Sequence, residues 1–392
     1  MRRRTRKHLF HAAIFGSVLF LIIYLGGSQS NGKVFKWTEI HYKTSAATLP
    51  EARGVCPGLE KNTKPALIVS RVSADGDSKW LKTLSSKYHL CIYAVDAPKD
   101  TKSTYLQVPA NRGHEAMAYL TFIIDNYAAI PASGAVFVHG SRWAWHNDSP
   151  EYDNAALLAA LRVESALEPY GYHNLRCDWS ASTCSASYGP AQGSLETSMN
   201  AVMQPWDART VSDKALPRAL ADLFGGEESD SPRRRDVLLG RSDPVKSQCC
   251  AQFVVARENI WRHSRDEYVA LRQWLLDSSD SDSDDETNPP TPRQGRTSYA
   301  SAAAAPSDDR VAGRILSYLW HILFMRPETD GSGNMNLARL NQQACPRADE
   351  CYCRLYGRCG LEGCGVSPEQ CFGQYTLPPD FQLPANWEEA HS

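Results

Sequence analysis

Residues able to do chemistry gather in one stretch of the chain, His139-Gly-Ser-Arg142-Trp143-Ala-Trp145-His146-Asn147-Asp148, with Asp153 close behind. Indoles left in water gain nothing, so two tryptophans in a connecting segment point to a surface made for something else. An indole face suits a sugar ring, and an arginine suits a diphosphate, which it grips through paired hydrogen bonds. Asp148 and Asp153 are the carboxylates on hand for general-base work. The same residues allow a plainer reading in which the aromatics only cap a sheet. Asn147-Asp148-Ser149 is also a glycosylation sequon, which implies a surface position. Arg71, Asp96 and His139 stand at the ends of apolar runs. Asn111-Arg112-Gly113-His114-Glu115 precedes a helix, whose unpaired N–H groups can cradle an anion. Asn111 can equally be a turn residue, and Glu115 a partner of the helix dipole. Asp75-Gly76-Asp77 has the D-x-D form but comes after an apolar run in a polar loop, which makes it a weak signal.

These groups need elements to bring them together. Ala66 to Arg71 and Leu90 to Val95 are short apolar runs suited to strands buried on both faces, with a helix expected from Ser78 to about Ser86 between them. Glu115 to Tyr127 carries apolar residues at helical spacing and leads into a third strand, Ala135 to His139. Alternation of strand and helix at these separations is what parallel pairing requires, so the fold class is α/β with an open, mainly parallel sheet flanked by helices. Ligands in such sheets bind beyond the carboxyl ends of the strands, which places Arg71, Asp96 and His139 on one crevice. Further on, Tyr152 to Arg162, Ser264 to Leu276 and Val311 to Phe324 read as helices and Ala251 to Ala256 as a strand. The last of these helices has the clearest apolar stripe.

The chain has 392 residues, 12 cysteines and a formal net charge of -2, so nothing in its bulk charge suits nucleic acid. A basic tail over residues 1–8 precedes an apolar segment at 9–26, of the length of one membrane helix. By the positive-inside rule this anchors the remainder in the lumen of the endoplasmic reticulum or Golgi. A cleaved signal peptide is the competing reading. Residues 27–64 read as a stem, 65–344 as the lumenal domain, 345–371 as a cysteine-rich segment and 372–392 as a tail. Stretches 225–243 and 278–309 read as flexible inserts, the second rich in Ser, Asp and Pro. The cysteines read as disulfides, zinc being disfavoured by their spacing. Cys177 and Cys184 are spaced to close a small loop. Cys249 and Cys250 are expected to bond to separate partners, because a vicinal bridge strains the peptide between them.

Several segments resemble a fungal family catalogued as domain of unknown function 3431, over about Leu67 to Cys359. They include Ile92-Tyr93 to Asp96-Ala-Pro98, Pro109-Ala-Asn111-Arg-Gly113, Trp145-His146-Asn147, Asn174-Leu-Arg176-Cys177 and Cys249-Cys250-Ala-Gln252-Phe. The resemblance brings no established activity. A weaker similarity, in the order of strands and polar turns, is to nucleotide-sugar glycosyltransferases of the GT-A type, a Rossmann-like fold. It implies that Asp96 contacts the nucleotide base. Where that type carries a metal-binding Asp-x-Asp, this chain has His139-Gly140-Ser141, so a role for manganese is open to doubt.

Three functions are in view. A glycosyltransferase-like protein would hold a nucleotide-sugar with Arg71, Asp96, Asn111, Arg112, Gly113, Glu115, His139, Arg142, Trp145 and His146, and use Asp148 or Asp153 as base on a glycan acceptor. A membrane-anchored glycan-binding or assembly factor would keep the sheet without the chemistry. A metal hydrolase would rest on His139, His146, Asp148 and Asp153.

Overall fold

The computed structural model describes residues 3–26, 33–44, 46, 48–97, 103–185, 188–226, 236–278, 304–325, 334–361, 364 and 369–371. Two strands, β1 (Val34–Phe35) and β8 (Met335–Asn336), pair antiparallel as a small ribbon. The main sheet contains β2 (Ala66–Arg71), β3 (His89–Ala94), β4 (Leu106–Gln107), β5 (Ala135–His139), β6 (Tyr172–Asn174) and β7 (Phe253–Val255). Their order is β4-β3-β2-β5-β7-β6. Strand β2 pairs in parallel with both β3 and β5, and β3 with β4, so the expected parallel set is present. Strand β7 runs against both of its neighbours.

Successive side chains along the strands face two different cores, which explains why the strands read as unbroken apolar runs. Ala66 and Ile68 of β2 face one core with Phe137 and Phe253, whereas Leu67 and Val69 face another with Val136, Val138 and Val254. The first core is covered by helices α2 (Glu115–Asp125), α6 (Ala208–Gly225), α8 (Arg265–Asp277) and α9 (Asp309–Phe324). There Phe137 stacks on Phe253 at 4.9 Å, and Tyr119, Trp320 and Phe324 close around them. The second core lies under α3 (Asn154–Ala160), α4 (Val163–Leu167) and α11 (Ala348–Tyr356). Burying a side chain of this size contributes roughly 1.5–3 kcal/mol, which is why few elements suffice on each face.

Helix α8 begins where its sequence says it should, since Ser264 and Glu267 form a reciprocal capping box. The helix expected from Ser78 is instead a tighter 3-10 helix over Lys79–Leu84, which turns Trp80, Leu81 and Leu84 inward. Three short helices, α5 (Leu195–Met203), α7 (Arg257–Ile260) and α10 (Leu337–Ala344), complete the described elements together with α1 (Arg3–Gly26). Among the described residues no helix is long and apolar enough to cross a membrane, and the side chains of 21–26 lie outside those described.

Several expectations need correction. Residues 33–64 are no free stem: Phe35, Trp37, Ile40, Tyr42, Cys56 and Leu59 are buried in the first core. Phe35 stacks on Trp37 at 4.3 Å, and Trp37 Nε1 donates to the Val237 carbonyl at 2.8 Å. That bond lies within the stretch read as the first flexible insert, where Val237 and Leu239 are also buried. Of that insert 227–235, and of the second 279–303, lie outside the described residues.

The cysteines pair as Cys56–Cys91, Cys177–Cys351, Cys184–Cys345, Cys249–Cys250, Cys353–Cys359 and Cys364–Cys371. Cys177 and Cys184 therefore do not join each other; they tether the C-terminal segment across separations of 174 and 161 residues. Cys249 and Cys250 do bond to each other, on backbone that turns through positive φ, 86° at Cys250 and 48° at Ala251.

Candidate functional site

Strands β2, β3 and β5 end on the same side of the sheet, and the loops that leave them meet there. Gly140 is the pivot. A side chain at this position would collide with Arg71 Cβ and come within 2.6 Å of Asp75 Oδ2, so only glycine lets the two strand ends close up. Asp75 is half-buried there; burial pushes its carboxyl above the usual range, against the pull of the Val72 amide, His139 and Arg71. Asp96 lies on the exposed side and accepts from the Ser73 amide at 2.7 Å. Arg71 packs its guanidinium 4.6 Å from the Tyr105 ring centre and donates to the Gly76 carbonyl. Arg71, Asp96 and His139 therefore do converge, with Asp75 between them.

His139 opens onto a cavity of about 290 Å³, where Trp145 and His146 form one wall. Its Nε2 lies 2.7 Å from the Cys250 carbonyl, which can only accept, so Nε2 carries the proton. The His139 and His146 rings meet edge to face at 4.9 Å, and Trp145 stands 64 % exposed at the rim. Burial, with His139 and Arg176 nearby, pushes the His146 pKa down to about 3, so this ring is neutral. The opposite walls come from far along the chain: Glu115 at the start of α2, Gln248 and the Cys249–Cys250 pair before β7, and Arg310, Arg314 and Tyr318 on α9.

Three polar atoms lining this cavity are buried without a hydrogen-bond partner among the described residues: His146 Nε2, Gln248 Oε1 and Arg314 Nε. Each leaves roughly 1–3 kcal/mol of desolvation uncompensated until something binds. The backbone is under strain at the same place. His114 and Cys250 line the cavity with φ of 53° and 86°, conformations that cost non-glycine residues about 1–3 kcal/mol each. Strained residues and orphaned polar atoms converging on one hollow are a functional signature.

Other expected site residues have different work. Asn111 is exposed, and Arg112 is 7 % exposed and turned away from the cavity. Arg112 donates to Ser278 Oγ, the Ser307 carbonyl at 2.7 Å and Asp309 Oδ1 at 3.0 Å. It thus clasps both ends of the segment 279–303. The helix start at Gly113 does hold an anion, but that anion is Asp309, which accepts from the Gly113 amide. Gly113 is favoured by its backbone, which sits at φ 70°, and a Cβ there would also press on Leu275 Cδ1 at 2.8 Å.

Arg142 pairs in two-pronged fashion with Asp153 at 3.0 and 2.9 Å, and Asp153 also caps α3 through the Ala155 amide. Asp148 is buried and accepts from the amides of Cys177 (2.7 Å) and Asp178 (3.3 Å) and from the Tyr352 hydroxyl (2.9 Å). Neither Asp148 nor Asp153 lines the cavity, so neither is placed to act as base there, and a metal centre built on them with His139 and His146 fails with them. Asn147 is 1 % exposed; its amide donates to the Arg142 and Tyr152 carbonyls and accepts from Gln252 Nε2 at 3.0 Å. The sequon is therefore inside the fold, contrary to expectation.

Among the described residues one group of metal-ligand type converges, Cys56, His89 and Cys91, and its two sulfurs are bonded to each other.

The polar residues of α9 were missed from the sequence, although a signal was there. Arg310, Arg314 and Ser317 recur at helical spacing on the face opposite the apolar stripe. Gln248 gave no signal, since nothing marks one glutamine among others.

No curated protein and no solved structure matches the chain. The model of one family, described as a protein of unknown function (DUF3431), matches residues 67–354, from the first strand of the main sheet to the last helix. With well over half of its length matched, the chain belongs to the DUF3431 family.

Proposed function

We propose that this is a membrane-anchored, glycosyltransferase-like protein that holds a nucleotide-sugar in the cavity beside His139. The convergence of His146 Nε2, Gln248 Oε1 and Arg314 Nε, unpartnered, on one hollow carries the proposal. Arg314 supplies positive charge for a diphosphate, whereas the charge of Arg310 is already met by Asp308 at 2.9 Å. Trp145 offers a flat apolar face at the mouth for a sugar ring, and Gln248 accepts from a hydroxyl. Glu115 is the one carboxylate among the described residues that line the cavity, and it takes the place of the general base on the acceptor hydroxyl. The parallel strand ends beneath support the choice of a nucleotide, since such ends are where open α/β sheets bind them.

Helix α1 carries the apolar segment 9–26, and this supports the anchor. The six disulfides support an oxidising, lumenal setting in the endoplasmic reticulum or Golgi. A second reading, a glycan-binding or assembly factor without catalysis, is favoured by the lone carboxylate and the missing metal cluster among the described residues.

Calorimetry of the full-length oxidised chain with UDP- and GDP-sugars, with and without manganese, tests the proposal. Binding in the range of about 1 μM to 1 mM is expected, weakened at least about tenfold by Arg314→Ala. Heat from none of the donors removes it. Glycan binding without donor binding moves the protein to the second reading.

A further inference from the structure

A second cavity, of about 490 Å³, opens beside β6, α10 and α11 and shares no residue with the one at His139. Arg339, Arg347 and Arg354 line it, with Glu350 as the one carboxylate among the described lining residues. Two of these guanidiniums are already positioned: Arg347 pairs with Asp349 at 3.1 Å, and Arg354 Nη1 donates to the Glu168 carbonyl at 3.2 Å. The Cys184–Cys345 bridge fixes the wall that carries Cys345.

His173 of β6 also lines this cavity and is only 6 % exposed. Its Nδ1 lies 2.7 Å from the Asn174 carbonyl oxygen. A carbonyl can only accept, so Nδ1 carries the proton, and in the neutral ring Nε2 is a bare acceptor. Burial, with Arg354 nearby, pushes the His173 pKa down to about 4, which keeps the ring neutral. Its Nε2 has no partner among the described residues, and neither has Gln343 Oε1, a second buried acceptor at the same cavity. The two kinds of group make opposite demands: Arg347 already has Asp349, but Arg354 donates to a neutral carbonyl and favours negative charge, while His173 and Gln343 require hydrogen-bond donors. A bare oxyanion brings no donors, and a neutral sugar brings no charge.

We infer that this cavity binds an acidic sugar, whose carboxylate or phosphate ester meets the arginines while its hydroxyls donate to His173 Nε2 and Gln343 Oε1. This site does not depend on what the His139 cavity holds.

The test is calorimetry of the full-length oxidised chain with glucuronate, glucose 6-phosphate, glucose and inorganic phosphate. At least one of the two acidic sugars should bind tenfold or more tighter than both glucose and phosphate. Arg339→Ala with Arg354→Ala should remove at least tenfold of that affinity, and Gln343→Leu should erase the advantage over phosphate. Arg314→Ala, which weakens donor binding in the other cavity, should leave the affinity for the acidic sugar unchanged. Acidic sugars binding no better than inorganic phosphate would overturn the inference. So would undiminished affinity in the folded double variant, or loss of affinity with Arg314→Ala instead.

Discussion

Asp148→Ala should lower the stability of the oxidised chain by about 3–4 kcal/mol, a loss at the upper end of what single substitutions do. The carboxylate is buried and gathers three donors from two distant parts of the chain, the amides of Cys177 and Asp178 and the hydroxyl of Tyr352. Alanine would leave all three buried without an acceptor, and each such orphan costs roughly 1–3 kcal/mol. The loss is concentrated where α11 meets the loop after β6, so the disulfide Cys177–Cys351 should become accessible to mild reductant. Asp148→Asn keeps one acceptor oxygen and should fall in between. Denaturant unfolding measures the difference. A variant that keeps full stability and loses only an activity would restore Asp148 to the role of catalytic base.

The second large effect is a steep loss of stability in acid. Burial pushes the pKa of His321 down to about 3 and that of His173 to about 4, against an unfolded value of 6.5. The sign comes from proton counting. Between pH 6.5 and the folded values the unfolded chain binds protons that the folded chain refuses, so stability is full above pH 6.5 and falls as pH drops. For these two rings together the slope should approach about 2–3 kcal/mol per pH unit, reduced where the raised carboxyls of Asp125 and Asp213 take up protons in the folded state. His146 adds to the same trend. Neither ring nitrogen of His321 has a partner among the described residues, so His321→Leu removes a titrating group without orphaning another and should flatten the three-histidine slope by roughly a third. Thermal unfolding from pH 7.5 to 4.5 reads this out, and a flat profile for the parent chain would contradict it.

Legibility of the fold tracked the length of its signals. Strands β2 and β5 are buried on both faces almost throughout, β3 is half-buried, and all three have five or six residues and could be read as apolar runs. Strands β4 and β6 have two and three residues, too few to establish any period, and were missed. Helix α6 was hidden by Pro217 in its middle, which argues against a helix in sequence. Residues 33–64 looked like a stem because Phe35, Trp37, Ile40 and Tyr42 are spread among polar neighbours. Their burial is decided by what they dock against, including Val237, which lies 200 residues on.

His139, Trp145, His146 and Glu115, read from a strand end, the loop after it and a helix start, all line one cavity. Asp148, Asp153, Arg112 and Arg142 do not line that cavity, and the sequence could not show this for one physical reason. A charged residue in a loop looks the same in sequence whether it faces a ligand or holds the loop together, and here each had a partner elsewhere in the fold.

Photo-crosslinking an azido-substituted UDP-sugar to the full-length oxidised chain, with peptide mapping of the label, locates the donor most directly. The label should fall within 114–115, 139–146, 181–183, 247–250 or 310–318, the segments that wall the His139 cavity, and excess unlabelled donor should abolish it. Label confined to the loop around Asp75 or to the His173 cavity, or none above the competed background, would contradict the account.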